Sequence, residues 1–158
     1  MRALVHSCAA AHELIGLLCA WDRVEAHATA RKRAAVAELF RRNPESGFEV
    51  EGRMPDVADE FVADELACAL GESRGRADAL LTMAWHLQTR LPGTRAALQD
   101  GTTSRYNAEI ITWATQFLDP AEARAAEATV IDRAGRLTPG GLRAAVASAV
   151  MEAAPRPG

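Results

Sequence analysis

The chain has 158 residues, a formal net charge of −3 at pH 7 and 49% hydrophobic residues, of which few are aromatic. This length fits one domain, and the slightly acidic balance excludes a general attraction to nucleic acid, so any such contact has to come from a local basic patch. Abundant alanine and only 5% aromatic residues favour helices over a sheet. We therefore expect an all-α, compact multi-helix bundle, with a single helical domain over residues 1–155.

The first predicted element is a long N-terminal helix over residues 2–42. This stretch contains no proline, and its one glycine is Gly16. Apolar residues recur every three or four positions, which is typical of one face of an amphipathic helix, and one long helix or two collinear helices fit the pattern. The expected face comprises Leu4, Cys8, Ala11, Ile15, Leu18, Trp21 or Asp22, Ala28, Val36, Leu39 and Phe40.

A polar segment beginning with the turn sequence NPESG follows the first helix. We expect a mobile loop over residues 43–57 and a helical core over residues 58–154. The first core helix has Asp56 or Asp59 as its predicted N-cap and ends at Gly71. Its expected buried side chains are Phe61, Leu66 and Leu70.

The later helices are indicated by residues that cap helix ends. Proline at position 92 ends the helix before it, and a short helix is predicted from about residue 94 to residue 99. The next helix is expected to bury Ala108, Ile111, Ala114 and Phe117 or Leu118. The last two helices each begin with a capping residue followed by proline. The predicted N-caps are Ser73, Thr103 or Ser104, Asp119 and Thr138.

Two stretches resemble the corner of a helix-turn-helix. In DELACALGESRGRADALLT, over residues 64–82, Ala67 lets two helices approach and Gly71 makes the turn. A second Ala-x-x-x-Gly turn spans Ala97 to Gly101. If these corners contact DNA, arginine is the residue type suited to phosphate and guanine. The exposed candidates are Ser73, Arg74, Arg76 and Thr82 at the first corner, Ser104, Arg105 and Asn107 at the second, and the cluster Arg31, Lys32 and Arg33 on the first helix.

A purely structural corner explains the same spacing, because small residues and glycine are the ordinary means of joining two packed helices. Asp78 on the outward face would repel phosphates, and nine acids lie between Glu45 and Glu72. The sequence therefore leaves open whether the corners contact DNA or only support the fold.

Residues suited to metal binding or catalysis are few. Cys8 and His12 are four residues apart on one helix, near His6, but no second pair has ligand spacing, so we expect no metal and no cofactor. Nucleophile and phosphate-loop motifs are missing, which predicts a chain without catalytic activity. Three cysteines within apolar stretches predict buried, reduced thiols and a cytoplasmic location. No apolar run is long enough for a membrane span.

Taken together, these pieces resemble Domain of Unknown Function 222, also called the 13E12 repeat family, a bacterial helical module found in front of HNH endonuclease domains. The resemblance runs in family order over roughly residues 15–155. The matching segments are Trp21-Asp22-Arg23, ARKRAAVAELFRR, FVADELACALGESRGRADALLTMA, LPGTRAALQDGTTSRYNAEII, Leu118-Asp119-Pro120 and RLTPGGLRAAVASAV.

The resemblance implies an accessory role rather than an activity. Nuclease chemistry in this family resides in the HNH domain, whose paired histidines hold a divalent metal. This chain has no histidine after His86, so that centre is missing here. The implied partner is an HNH nuclease domain in cis or in trans.

Two functions remain open from the sequence. The first is a targeting module that presents DNA to a nuclease, and it predicts binding that weakens steeply with salt. The second is a protein-interaction or oligomerisation scaffold without nucleic-acid contact, in which the long N-terminal helix pairs with another chain, for example as a homo-oligomer. The first function would be favoured if the exposed arginines of both corners lay on one face together with the basic part of the first helix. The second would be favoured if acidic residues lay between them.

Overall fold

A computed structural model describes residues 2–42 and 60–154, with side chains over residues 11–42 and 61–154, and seven helices make up most of these ranges. No strand occurs within these ranges, which confirms the predicted all-α fold. The predicted loop and the capping candidates Asp56 and Asp59 lie outside the described residues. The helices are α1 (Arg2–Arg42), α2 (Glu60–Leu70), α3 (Arg74–Thr89), α4 (Pro92–Gln99), α5 (Arg105–Thr115), α6 (Pro120–Ala134) and α7 (Pro139–Ala153).

Helix α1 is continuous, but it packs against the rest of the molecule only through its second half. Among the side chains that the structure describes, the predicted buried face is wrong from residue 11 to residue 22, because no other described helix covers that part, and it is wrong again at Ala28 and Leu39. The exposed members of the predicted face are Ala11, Ile15, Leu18, Trp21, Asp22, Ala28 and Leu39. The positions that do pack inward repeat every three or four residues over the second half: Ala26, Ala30, Arg33, Val36, Ala37 and Phe40.

The two Ala-x-x-x-Gly sequences form the same helix-ending turn. Gly71 adopts φ +64° and Gly101 φ +68°, the left-handed conformation that glycine reaches without a steric penalty. In each turn, the N–H after the glycine donates to the carbonyl oxygen of the alanine, Ala67 or Ala97, at 2.9 Å. This Schellman motif satisfies the last helical carbonyls and turns the chain toward the next helix.

The predicted N-caps are confirmed where the structure describes them. The side chains of Ser73, Ser104 and Thr138 each accept a hydrogen bond from the backbone N–H three residues later. Asp119 and Glu122 form a reciprocal capping box at the start of α6. These local bonds satisfy donors that the first turn of a helix leaves unpaired.

Two apolar clusters lie on opposite sides of α3. One joins the end of α1 to α2 and α3 through Phe40, Leu66 and Trp85, and the other joins α3 to α4, α5, α6 and α7 around Ile111 and Leu142. Several predicted core side chains are not in either cluster, because the buried face of each helix is narrower than its apolar pattern. The exposed residues are Phe61 at 81%, Leu70 at 40%, Ala114, Cys19 and Cys68. Of the alternatives Phe117 and Leu118, Leu118 packs against the cluster around Ile111 and Phe117 is exposed.

Three buried polar side chains cap helices other than their own. Glu127 of α6 accepts hydrogen bonds from the N–H groups of Gly93 at 3.1 Å and Thr94 at 2.6 Å, at the start of α4. The N-cap of α4, Leu91, has no side chain able to do this. Arg90 donates to the carbonyls of residues 115, 116 and 118 at the end of α5. Asn107 donates to the carbonyl of Ala134 at the end of α6.

Replacement of the buried Glu127 by alanine tests this capping role. We expect Glu127→Ala to lower the free energy of unfolding by about 2 kcal/mol or more, because two buried N–H groups lose their acceptor. Glu152→Ala, an exposed glutamate on α7, should change it by less than about 0.5 kcal/mol. Urea denaturation of both variants measures the difference, and equal, small effects would contradict the role.

His86 is a buried ring that is held neutral. Its Nδ1 lies 3.3 Å from Nη1 of Arg90, and because a guanidinium only donates, Nδ1 accepts. Burial first, and then the Arg90 charge, lower the pKa of His86 from 6.5 to about 4. The folded state therefore binds this proton less readily than the unfolded chain does.

This pKa shift predicts a loss of stability in mild acid. The contribution of the neutral ring is fully present above pH 6.5 and is lost as the pH falls from 6.5 to about 4, by up to about 3 kcal/mol. His86→Gln keeps an acceptor for Arg90 but does not titrate. In urea denaturation between pH 7.5 and pH 4, we expect the wild type to lose stability relative to this variant. A constant difference between the two across that range would show that the ring is not responsible.

Candidate functional site

Four of the predicted basic residues meet at one cleft between α1, α3 and α5. The cleft has a volume of about 430 Å³. Lys32 and Arg33 come from α1, Arg76 from α3 and Arg105 from α5, so the arginines of both corners do reach the basic part of the first helix. We call this the basic cleft. Its charged lining consists of Lys32, Arg33, Arg76, Arg105, Glu72 and Glu109.

A carboxylate shared by two guanidinium groups lies in the basic cleft. One oxygen of Glu109 lies 3.3 Å from Nη2 of Arg33 and 3.2 Å from Nη1 of Arg105. The Arg33 side chain is only 10% exposed, so this residue faces inward and is not a free surface cation. Burial lowers the pKa of Arg33, Glu109 raises it, and Arg105 lowers it. One negative charge therefore balances two positive charges here.

The cations nearer the rim of the basic cleft differ in whether a carboxylate neutralises their charge. Nε of Arg76 lies 2.7 Å from a carboxylate oxygen of Glu72, one helical turn before it. Lys32 is exposed and has no hydrogen bond or ion pair with any residue whose side chain is described. Four cations and two carboxylates thus line the basic cleft, which leaves an excess of two positive charges in the lining, and a further carboxylate outside it, Glu25, lies 4.0 Å from Nε of Arg105.

At the first corner, acids neutralise the candidate recognition face. Nη1 of Arg74 lies 2.6 Å from Asp64 and its Nε lies 3.3 Å from Asp78. These partners, Asp64 first, raise the pKa of Arg74. The hydroxyl of Thr82 donates to the carbonyl of Asp78 within the helix, and Ser73 serves as the N-cap. No side chain of this set is both exposed and without an intramolecular bond among the described residues.

At the second corner, the prediction that Asn107 is an exposed reader is wrong. Asn107 is buried, and its amide nitrogen donates to the carbonyl of Ala134 at 2.9 Å because the end of α6 lies beside it. Ser104 is exposed and accepts from the backbone N–H of Asn107. Only Arg105 of this corner reaches the basic cleft.

The first half of α1 carries an exposed apolar stripe, whereas the sequence pattern predicted buried side chains there. Six large apolar side chains within three turns are 53 to 64% exposed, and all of them except Ile15 lie toward one side of the helix. The signal was present in the sequence, because apolar residues surround this part of the helix rather than following one face. The members of the apolar stripe are Leu14, Leu17, Leu18, Trp21 and Val24.

A second exposed surface borders the basic cleft on α5. Tyr106, Trp113 and Phe117 are exposed, and the guanidinium of Arg143 from α7 lies 5.5 Å from the Tyr106 ring centre. Trp113 and Glu109 line both the basic cleft and a groove of about 370 Å³ between α5 and α7. Trp113 is therefore the one aromatic residue in the described lining of the basic cleft.

The described side chains and helices offer neither a metal site nor a membrane span. Within residues 11–42 and 61–154, no three His, Cys, Asp or Glu side chains are placed to share a metal ion. His12 is described, but the side chains of Cys8 and His6 are not. None of the described helices combines the length and apolar character that crossing a bilayer requires.

Comparison with known proteins identifies a family but no individual relative. Residues 21–157 match the model of a family described as Domain of unknown function (DUF222). No curated protein and no solved structure matches the chain. The family match begins at Trp21, so Leu14, Leu17 and Leu18 of the apolar stripe precede it.

Proposed function

The chain belongs to the DUF222 family, whose description names no function, and we propose that it is a non-catalytic helical module that binds a second copy of itself through the apolar stripe of α1. The exposure of five large apolar side chains on one uncovered helix supports this proposal. Contiguous apolar surface of this kind marks interaction sites in soluble proteins. The scaffold hypothesis is thereby favoured over DNA targeting.

The apolar stripe is centred on a side of α1 that faces away from its packed face, although Leu18 lies at the edge nearer to that face. Leu17 precedes Ala26 by nine residues, and at about 100° per residue the two side chains project about 180° apart. Ala26 is the first buried position among the side chains described on this helix, which begin at residue 11. A partner can therefore cover the stripe without displacing any contact with the bundle.

The spacing of the stripe suits a second copy of the same helix. Leu14, Leu17, Trp21 and Val24 follow the three-then-four spacing of a coiled-coil seam. A two-fold axis would place the same patch of both copies face to face, which makes the interface self-complementary and closed. Closure limits the assembly to a dimer.

The area is sufficient for a stable contact. If each stripe side chain offers on the order of 100 Å² of apolar surface, a pair of stripes removes about 1,000 Å² from water. That value is at the lower limit for specific interfaces, about 1,000 to 1,200 Å². The expected dimer is therefore one that dissociates on dilution.

The polar groups of the core support a role without catalysis. Glu127, Arg90 and Asn107 are buried and bonded to backbone groups of other helices. His86 is buried against Arg90. A reactive site requires such groups to face a substrate, whereas these side chains face helix ends.

The resemblance to modules found with HNH endonucleases suggests the setting of this dimer. We propose that the module, in the cytoplasm, pairs the nuclease domains that accompany it in cis or in trans. The nuclease would then supply the metal chemistry, and the helical module would supply the pairing.

Sedimentation velocity over a range of protein concentrations tests self-association. Leu17→Glu should give a monomer at every concentration, because a buried unpaired carboxylate is costly at the seam. Cys19→Glu is the matched control, since Cys19 is exposed and lies two residues later, about 100° or more around the helix from every member of the apolar stripe. We expect this control to associate like the wild type.

A wild type that stays monomeric at all concentrations would contradict the proposal. The same conclusion follows if Leu17→Glu associates as the wild type does. If both variants dissociate equally, the contact involves the whole circumference of the helix, and the apolar stripe is not the interface.

DNA targeting is the second candidate, favoured by one observation. Arg76 and Arg105, one from each corner, line the same cleft as Lys32. Against it, Arg74 and Arg76 are paired with acids. This candidate predicts duplex binding that falls steeply with salt and is weakened about tenfold or more by Arg74→Glu/Arg76→Glu.

A matched pair of arginines on another surface controls that binding assay. Arg133→Glu/Arg136→Glu reverses the same charges at exposed positions near the end of α6. In fluorescence anisotropy with labelled duplex DNA, the control should retain affinity. Equal affinity of both double variants would remove the recognition-helix hypothesis.

A further inference from the structure

We propose that the basic cleft binds an organic phosphate monoester, with the phosphate between Lys32, Arg76 and Arg105 and the body of the ligand against Trp113. This inference is independent of self-association, because the apolar stripe and the basic cleft share no residue. A free nucleotide and the 5′-phosphate end of a nucleic acid strand carry this same chemistry.

The charge of the basic cleft matches that of a phosphate monoester. Its lining has an excess of two positive charges, and a phosphate monoester carries about −1.5 to −2 at pH 7. Arg33 contributes to this excess although its side chain is 10% exposed, so part of the positive charge has been removed from water. Desolvated charge attracts a counterion more strongly than a solvated surface charge does.

The two carboxylates hold the guanidinium groups without using all their donors. Glu72 lies beside Nε of Arg76, and Glu109 beside one terminal nitrogen each of Arg33 and Arg105. A guanidinium has five N–H donors, and a planar pair of them suits a phosphate. The ammonium of Lys32 has all three donors free among the side chains that the structure describes.

The walls indicate a ligand with an apolar or aromatic body rather than a bare ion. Leu80, Met83 and Trp113 line the basic cleft beside the charged residues. Its volume of about 430 Å³ falls in the range of small-molecule sites, roughly 300 to 1,000 Å³. An exposed indole offers a flat face on which a base can stack.

Isothermal titration calorimetry of the full chain with matched ligands tests the proposal. The ligands are adenosine monophosphate, adenosine, and a thymidine oligonucleotide with and without a 5′-phosphate. We expect at least one phosphate-bearing ligand to bind about tenfold more tightly than its unphosphorylated counterpart, which corresponds to about 1.4 kcal/mol. Binding of the mononucleotide identifies a free nucleotide as the source, and binding of the phosphorylated strand alone identifies a strand end.

Two neighbouring residues on α1 provide the variant and its control. Lys32→Glu places a carboxylate at the basic cleft, whereas Arg31→Glu makes the same charge change one residue earlier, on a side chain that does not line it. Both positions are exposed, so the fold should be retained, which thermal denaturation checks. We expect Lys32→Glu to weaken phosphate binding about tenfold and Arg31→Glu less than about twofold.

Equal losses in the two variants would overturn the proposal, because they would indicate general attraction to a basic helix. Phosphorylated and unphosphorylated ligands binding alike, or none binding, would overturn it too. Leu17→Glu should bind the phosphate ligand as the wild type does, so a failure of self-association leaves this result intact.

Discussion

The architecture depends on satisfying backbone groups at helix ends that are buried under other helices. A first helical turn has N–H groups, and a last turn has carbonyls, with no partner in their own helix, and each is costly to bury unpaired. Glu127, Arg90 and Asn107 reach across from other helices to meet this requirement. They fix the start of α4 and the ends of α5 and α6 relative to the helices that supply these side chains. The position of α5 in turn places Arg105 and Glu109 in the basic cleft.

The same requirement explains why polarity alone is a poor guide to function in this chain. Asn107 and Arg33 look like surface contacts in the sequence, yet one caps α6 and the other is a buried partner of Glu109. The residues left for external contacts are those without an internal role. Among the side chains that the structure describes, these include the apolar stripe of α1 and the rim of the basic cleft around Lys32.

Local features of the fold could be predicted, whereas long-range ones could not. Ser73, Ser104, Asp119 and Thr138 act within three residues, so their capping role is readable from sequence. The partner of Asn107 lies 27 residues away, and no local pattern indicates it. On α1, apolar residues on every side of the first half give no unique face, so periodicity placed Ile15 and Leu18 in a core that ends at Ala26. Lys32, Arg76 and Arg105 likewise come together only through the packing of three helices, which no local sequence pattern indicates.

The central claim is that the uncovered half of α1 is an interface between two copies of this chain. Hydrogen exchange followed by mass spectrometry, at low and at high protein concentration, tests it most directly, because amides in a helix exchange more slowly when that helix is covered. The account predicts that exchange over residues 11–24 slows as the concentration rises, while exchange over α5 stays the same. Exchange over residues 11–24 that is independent of concentration would contradict it.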